Sequence, residues 1–139
     1  MGARKQDYGH SFEDYFKRAV NPMLILSLLQ ERPKYAYEMT QELKERTGGE
    51  YNMPLLYPVL YRLQDQGFIE ESEKVISQNN RVRNYYRLTP AGIAHLEVMR
   101  RDFVRLCRHV LHLTDLPEVI AHEAVSYTHL RAHETRHDL

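Results

Sequence analysis

The chain has 139 residues, 19 basic and 19 acidic side chains, zero formal net charge and one cysteine, Cys107. This length fits one domain with a tail, and one cysteine excludes an intramolecular disulfide framework. The longest apolar run, Met23 to Leu29, is too short for a membrane span, and the N-terminus lacks an apolar signal core. We therefore expect a cytoplasmic protein with no membrane partner.

The neutral total hides an uneven distribution of charge. Residues 1–80 carry 10 basic and 12 acidic side chains, whereas residues 81–108 carry seven basic and two acidic ones. Residues 109–139 carry two basic and five acidic ones. The basic middle segment has to be explained by any account of function.

Three helices are predicted before residue 50. Ser11 is placed to cap a first helix, and Asn21-Pro22 is expected to end it and start a second. That second helix, Pro22 to Gln30, is apolar almost all round and should be buried. The third runs from Tyr35 to Thr47 and ends at Gly48-Gly49.

The stretch "NMPLLYPVLYRLQDQGFIEES", residues 52–72, predicts a fourth helix that stops at Gly67. Its start is open to two interpretations. Either Asn52 caps a distorted first turn that contains Pro54 and Pro58, or regular helix begins near Tyr57 with Pro58 as its first residue.

A two-stranded hairpin follows, because "FIEESEKVI" and "RVRNYYRL" flank the turn-forming residues "SQNN". Side chains alternate between the two faces of a strand. In the second strand, one face should carry Val82, Asn84, Tyr86 and Leu88, and the other should carry Arg81, Arg83, Tyr85 and Arg87.

The last helix opens at Thr89-Pro90 and has a nearly heptad apolar pattern. Its ~23 residues would span ~35 Å, which is long for the core of so small a domain. It either folds back on its own domain or packs against a second copy, with Phe12, Tyr15 and Phe16 of that copy as counterpart. The apolar pattern consists of Ile93, Leu96, Met99, Phe103, Leu106, Val110 and Leu113.

The last three of the four helices before the hairpin, followed by the hairpin, have the order of a winged helix-turn-helix. A recognition helix contacts bases mainly with its N-terminal residues, where tyrosine hydroxyls contact phosphate and apolar atoms contact thymine methyl groups. Positive charge lies instead on the hairpin, where three arginines share a face with Tyr85. The sequence contains no nucleophile–base pair, phosphate loop or paired cysteines, so we predict no enzyme and no cofactor.

The sequence also resembles the PadR-type transcriptional regulators over about residues 22–113. The resemblance rests on "MLILSLL", "YAYEMTQEL", "LLYPVLYRLQDQGFIE" and "RNYYRLTPAG". It implies a homodimeric repressor with a palindromic operator, a final helix as dimer arm, and DNA contacts at Tyr37, Tyr57 and the hairpin arginines. Ala36 replaces a common glycine, and Leu55 stands where many members have a small polar residue. Some members hold aromatic drugs between tryptophans, which this chain lacks.

Together these arguments predict a mostly α fold with a small two-stranded β-hairpin and a long C-terminal dimerisation helix. The predicted segments are an N-terminal arm and helix (1–21), a winged helix DNA-binding domain (22–89), a dimerisation helix (90–114) and a tail (115–139). Predicted DNA contacts are Tyr37, Asn52, Pro54, Leu55, Tyr57, Arg62, Asn80, Arg81, Arg83, Tyr85 and Arg87. Predicted dimer contacts are Phe12, Tyr15, Phe16, Leu96, Met99, Phe103, Leu106, Val110 and Leu113.

The expected function is a dimeric repressor of a double-stranded DNA operator, released by a small aromatic or lipophilic effector. Two other functions stay open: an interaction module without DNA binding, and a metal-sensing regulator that uses His109, His112 and the tail. His129, His133 and His137 have helical spacing for a metal. However, "VSYTHLRAHET" matches a translated sequencing-library adapter, so we expect residues 125–139 to be non-native and to bind no metal.

Overall fold

Residues 11–53 and 56–116 are described by the structure, which is a computed structural model. They form four helices and a small antiparallel sheet, which confirms the mostly helical fold class. The elements are α1 (Phe12–Glu31), β1 (Lys34–Tyr35), α2 (Ala36–Arg46), α3 (Leu56–Asp65), β2 (Ile69–Ile76), β3 (Val82–Leu88) and α4 (Pro90–Leu113).

Helix α1 is continuous, so the prediction of two helices separated at Asn21-Pro22 is wrong. Ser11 caps its start, where the hydroxyl accepts a hydrogen bond from the Asp14 amide at 3.2 Å. Pro22 removes one backbone donor but its fixed φ is compatible with helix. The buried face that follows, Ile25 to Leu29, packs in the core and keeps the helix in register through the proline.

The sheet has three strands in the order β1-β3-β2, so the two-stranded prediction missed one strand. Strand β1 has only two residues, and it pairs antiparallel with β3 through Lys34 opposite Tyr86 and Tyr35 opposite Tyr85. The helix predicted from Tyr35 accordingly begins one residue later, at Ala36. Two residues are too few to show an alternating pattern, which is why the sequence did not predict this strand.

Strands β2 and β3 form the hairpin, hereafter the wing, with a register shift between Glu71 and Glu73. Its turn contains Asn80 with φ of 58°, a left-handed conformation that asparagine tolerates well. The predicted alternation is present near the base of the wing, since Tyr86 is buried whereas Arg87 is exposed. Near the turn it does not produce burial, because Val82 is 61% exposed, as Arg83 is exposed.

The wing is attached to α3 and α4 through a tight pair of turns. Gly67 has φ of 81° and ends the α3 segment, as predicted. Thr89 caps α4, where its hydroxyl accepts a hydrogen bond from the Gly92 amide at 3.1 Å. The core beneath comprises Ile25, Leu26, Leu28, Leu29, Ala36, Met39, Leu43, Met53, Leu56, Leu60, Leu63, Ile69, Tyr86 and Leu96.

The chain divides into two compact units, Met1–Met99 and Arg100–Leu139. Within the first unit, Leu96 has no exposed area, so it belongs to the core of its own chain and has no surface left for a second copy. Met99 is half-buried against that core. In the second unit, Phe103, Leu106, Val110 and Leu113 are exposed. None of the helices in the described part of the chain has the length and apolarity needed to cross a membrane.

Candidate nucleic-acid interface

Helix α3 has one buried face and one exposed face, and the exposed face carries aromatic side chains. Leu56, Leu60 and Leu63 are buried, as the periodicity predicted. Tyr57 and Tyr61 are about half exposed, and their ring centroids lie 5.8 Å apart. The described part of the helix begins at Leu56, two residues before Pro58. The predicted contacts Pro54 and Leu55 lie outside the described residues.

The other predicted contacts near this helix are also on the surface. Asn52 and Arg62 are exposed, and Tyr37, in the first turn of α2, is 66% exposed. Helix α3 packs against β2. Burial raises the pKa of the Tyr86 hydroxyl in β3, and the nearby charges of Glu71 and Tyr57 raise it further. The same region of the first unit therefore contains the exposed α3 tyrosines and the base of the wing.

Arg83 is held by an aromatic ring. Its guanidinium carbon lies 4.6 Å from the centroid of the Tyr35 ring, at cation–π distance. The Tyr35 ring in turn meets Tyr85 edge-on, with centroids 5.3 Å apart and planes at 66°. Within residues 11–53 and 56–116, neither Arg81 nor Arg83 forms an ion pair with a carboxylate.

Arg87 differs from the other wing arginines because a carboxylate neutralises it. Its Nε donates to Glu70 Oε2 at 2.9 Å, across the β2–β3 pair. Among the described residues, the wing therefore brings together two arginines without a carboxylate partner and one that is paired with Glu70. Asn80 lies in the turn between the strands, and Tyr85 is half-buried.

A buried cation, Lys34 of β1, joins α1 to α2. Lys34 is 1% exposed, and its ammonium donates to Glu31 Oε1 and Glu42 Oε1, each at 2.7 Å. Arg46 also donates to Glu31, at 2.9 Å, and this hydrogen bond is the main cause that lowers the pKa of Glu31 to about 2. The cluster ties the C-terminal half of α2, the helix that carries Tyr37, to the end of α1.

A groove of about 410 Å³ is lined by α1, by Tyr51 to Met53 and by the first turn of α3. Its walls include Lys17, Asn21, Tyr51, Asn52 and Pro58. The Lys17 ammonium lies 5.5 Å from the centroid of the Tyr51 ring, and burial raises the pKa of the Tyr51 hydroxyl.

The predicted histidine series, His129, His133 and His137, lies outside the described residues. In the part of the chain that the structure describes, no three His, Cys, Asp or Glu side chains are grouped so that they could hold a metal ion.

Comparison with known proteins identifies the family. The sequence model of the family described as "Transcriptional regulator PadR-like family" matches residues 25–98, more than half of the chain. The chain belongs to this family. It is also 36% identical over 96 residues to Transcriptional regulator Rv3488 of Mycobacterium tuberculosis, a match that covers 69% of this chain and 87% of that protein. The PadR resemblance predicted from the sequence is thereby confirmed.

Solved structures of PadR-like and other transcriptional regulators have the same fold. A regulator from Clostridium thermocellum is 29% identical with a TM-score of 0.58, and the match covers 68% of this chain and 89% of that one. Bacillus subtilis PadR in complex with operator DNA is 29% identical with a TM-score of 0.52, over 58% of this chain and 46% of that one. This PadR-like protein is accordingly a transcriptional regulator and not an enzyme.

Sequence reasoning missed Tyr35 as a residue of the wing surface. Its neighbours Ala36 and Tyr37 were predicted to lie in the same helix, and no local pattern marks the two-residue strand that carries Tyr35 to β3. Tyr85 was predicted to share a face with the arginines, but its contact with Tyr35 depends on a pairing between residues 50 positions apart.

Proposed function

We propose that this protein binds double-stranded operator DNA through α3 and the wing, and represses the gene that the operator controls. The observation that carries the proposal is the pair of wing arginines, Arg81 and Arg83, whose charges are not compensated by any described carboxylate. A protein that neutralises DNA phosphates gains affinity by releasing counterions. The operator complex of the related Bacillus subtilis PadR supports the same partner.

In this proposal, different residues contact the bases and the phosphates of the operator. The N-terminal turn of α3, which carries Tyr57, contacts base edges and thymine methyl groups in the major groove. The base contacts predicted from the sequence at Asn52, Pro54 and Leu55 belong to the same proposal. Phosphate contacts come from Arg62 on the same helix and Tyr37 on α2, and from the wing residues Asn80, Arg81, Arg83, Tyr85 and Arg87. Of these, Arg87 contributes least, because Glu70 already pairs with it.

We further propose that two copies associate through α4 and α1. Phe103, Leu106, Val110 and Leu113 leave an exposed apolar row at heptad spacing, and Met99 lies at its start. Phe12, Tyr15 and Phe16 form a second exposed apolar group, in which the Phe12 and Phe16 ring centroids are 6.1 Å apart. A symmetric dimer would present two recognition helices about 34 Å apart, one turn of DNA.

A small aromatic or lipophilic effector is proposed to release the operator. The groove beside α1 is a suitable binding site for this effector, because its walls include Asn52, just before α3, and Pro58, in the first turn of α3. A ligand bound in the groove would contact Asn52, which is proposed to contact DNA. As a regulator of transcription, the protein is proposed to act in the cytoplasm.

The test of DNA binding is a salt titration of affinity for a mixed-sequence fluorescent duplex. We expect Arg81→Ala and Arg83→Ala each to weaken binding at every sequence and to reduce the salt slope by about 0.9 for each lost phosphate contact. Arg101→Ala, which removes the same charge from α4, is the control and should leave the slope unchanged. An interaction module without DNA binding would show no salt-dependent association at all.

A further inference from the structure

The sheet face that carries Arg83 offers this side chain two different partners. In β3, Tyr85 lies opposite Tyr35 of β1 on one side and opposite Glu73 of β2 on the other. Arg83, two residues before Tyr85, is therefore diagonal to both. Diagonal neighbours on one sheet face are ~7–8 Å apart at their Cα atoms, within the reach of a long side chain.

These two partners would have opposite effects on DNA binding. A carboxylate that pairs with a guanidinium neutralises its charge, as Glu70 does for Arg87. An aromatic ring attracts the cation through its quadrupole but carries no net charge, so the guanidinium keeps its full charge toward a phosphate. In the structure the Arg83 guanidinium lies over the Tyr35 ring at 4.6 Å.

The Tyr35 ring is itself held in place. Tyr85 packs against it edge-on, and the Tyr35 amide donates to Glu38 Oε1 at 3.4 Å at the start of α2. The bond to Glu38 uses the Tyr35 backbone, so replacing the side chain leaves it intact. Tyr35 thus links the helix-turn-helix to the wing.

We propose that Tyr35 is a positioning residue that holds Arg83 away from Glu73 and directs its charge to a DNA phosphate. This inference rests on the proposed DNA-binding function and adds to it a residue that itself needs no contact with DNA. It also explains how a wing with Glu70, Glu71 and Glu73 on its outer strand keeps Arg83 without a carboxylate partner among the described residues.

The experiment measures the affinity of the full chain for a mixed-sequence duplex in a double-mutant cycle. Tyr35→Leu removes the ring and should weaken binding by about three- to tenfold with a lower salt slope. Tyr35→Phe keeps the ring and should bind as the unmodified protein does. In the Arg83→Ala background, Tyr35→Leu should have no further effect.

Glu73→Gln supplies a second test of the same cycle, because it removes the competing carboxylate. In that background we expect Tyr35→Leu to cost clearly less affinity than it does when Glu73 is present. The inference is overturned if the loss from Tyr35→Leu is the same with Arg83 or Ala at position 83, or if Tyr35→Phe weakens binding as much as Tyr35→Leu. If Arg83→Ala itself leaves affinity unchanged, the wing contact in the proposed function fails as well.

A measurement on the unmodified protein does not depend on the folding of any variant. Proton NMR should show the Arg83 side-chain resonances shifted upfield by the Tyr35 ring. Random-coil shifts for these protons would contradict the stacking and with it the inference. Melting curves of each variant distinguish a loss of fold from a loss of positioning.

Discussion

Arg87 Nε and Glu70 Oε2 lie 2.9 Å apart across the outer pair of strands, so the third wing arginine is neutralised by its cross-strand neighbour. Both side chains are about half exposed, so the pair contributes little to stability. Its consequence is electrostatic. The carboxylate reduces the positive potential of the wing where the proposed DNA phosphates approach.

Glu70→Gln should therefore tighten binding to a mixed-sequence duplex by about threefold at low salt, with a steeper salt slope, because the Arg87 charge is no longer shared between Glu70 and a phosphate. Fluorescence anisotropy over a salt series measures both quantities. Glu71→Gln removes the same charge but releases no arginine, so its slope should stay at the original value. Equal slopes for the two variants would contradict this role of Arg87.

Gly92→Ala should destabilise the protein by at least about 2 kcal/mol, although alanine favours helix by ~1 kcal/mol over glycine. An added Cβ would lie 2.0 Å from the carbonyl oxygen of Phe68 and 3.2 Å from Leu88 Cδ2. The oxygen is backbone and also accepts a hydrogen bond from the Thr89 amide, so it cannot move easily. Urea denaturation measures the change.

The control for Gly92 is Ala94→Gly, which changes an exposed position of the same helix by the same chemical group. It should cost only the ~1 kcal/mol of helix propensity. If Gly92→Ala unfolds at the same urea concentration as the unmodified protein, the close approach of α4 to the turn at Phe68 is not present in solution.

Glu31 should make stability depend on pH in the acid range. Its pKa in the folded protein is about 2, below its ordinary 4.5, chiefly because Arg46 donates a hydrogen bond to it. Its carboxylate therefore contributes fully to stability above about pH 4.5, and this contribution is lost as pH falls toward 2. Between these limits, the free energy of unfolding should fall less steeply with decreasing pH in Glu31→Gln than in the unmodified protein.

At neutral pH, Glu31→Gln should cost about 1 kcal/mol, since Lys34 keeps its contact with Glu42. Melting temperatures measured from pH 7 downward test both statements. Glu45→Gln, an exposed position on α2, is the matched control and should retain the full pH dependence. Parallel curves for Glu31→Gln and the unmodified protein would contradict the cause assigned to the shifted pKa.

Val110→Glu should weaken self-association by roughly tenfold or more, because a twofold interface would bury the new charge twice. Val110 is 57% exposed in the single chain, so the substitution should leave the melting behaviour of the subunit nearly unchanged. Sedimentation equilibrium gives the association constant. Arg101→Glu is the control: nine residues earlier at about 100° per residue, it lies on the opposite side of α4. Equal self-association of both variants would contradict the proposal that the exposed apolar row of α4 forms the dimer interface.

Much of the fold could be predicted because its signals are local. Gly67 takes the left-handed conformation that ends the α3 segment, and Thr89-Pro90 begins the last helix with the expected cap. Period-two alternation correctly separated Tyr86 from the arginines. Each of these features depends on residues within a few positions of one another, where sequence pattern and geometry are directly linked.

Other predictions failed where distant parts of the chain compete. The helix expected to stop at Asn21-Pro22 continues, because burial of Ile25 to Leu29 outweighs one lost backbone hydrogen bond. Leu96 fits the heptad pattern of a dimer seam but is fully buried in its own chain. Periodicity identifies the apolar face of a helix, but it does not say which surface that face packs against.

The sequence by itself determined the last three helices, the two strands of the wing and the PadR-like family, since periodicity, caps and turn residues act over short distances along the chain. Tertiary structure alone decided which wing arginine is paired with a carboxylate. Arg83 and Arg87 occupy equivalent positions on one strand face, yet Tyr35 lies beside the first and Glu70 pairs with the second. That difference comes from strand pairings between distant residues, which chain folding brings together and no local pattern records.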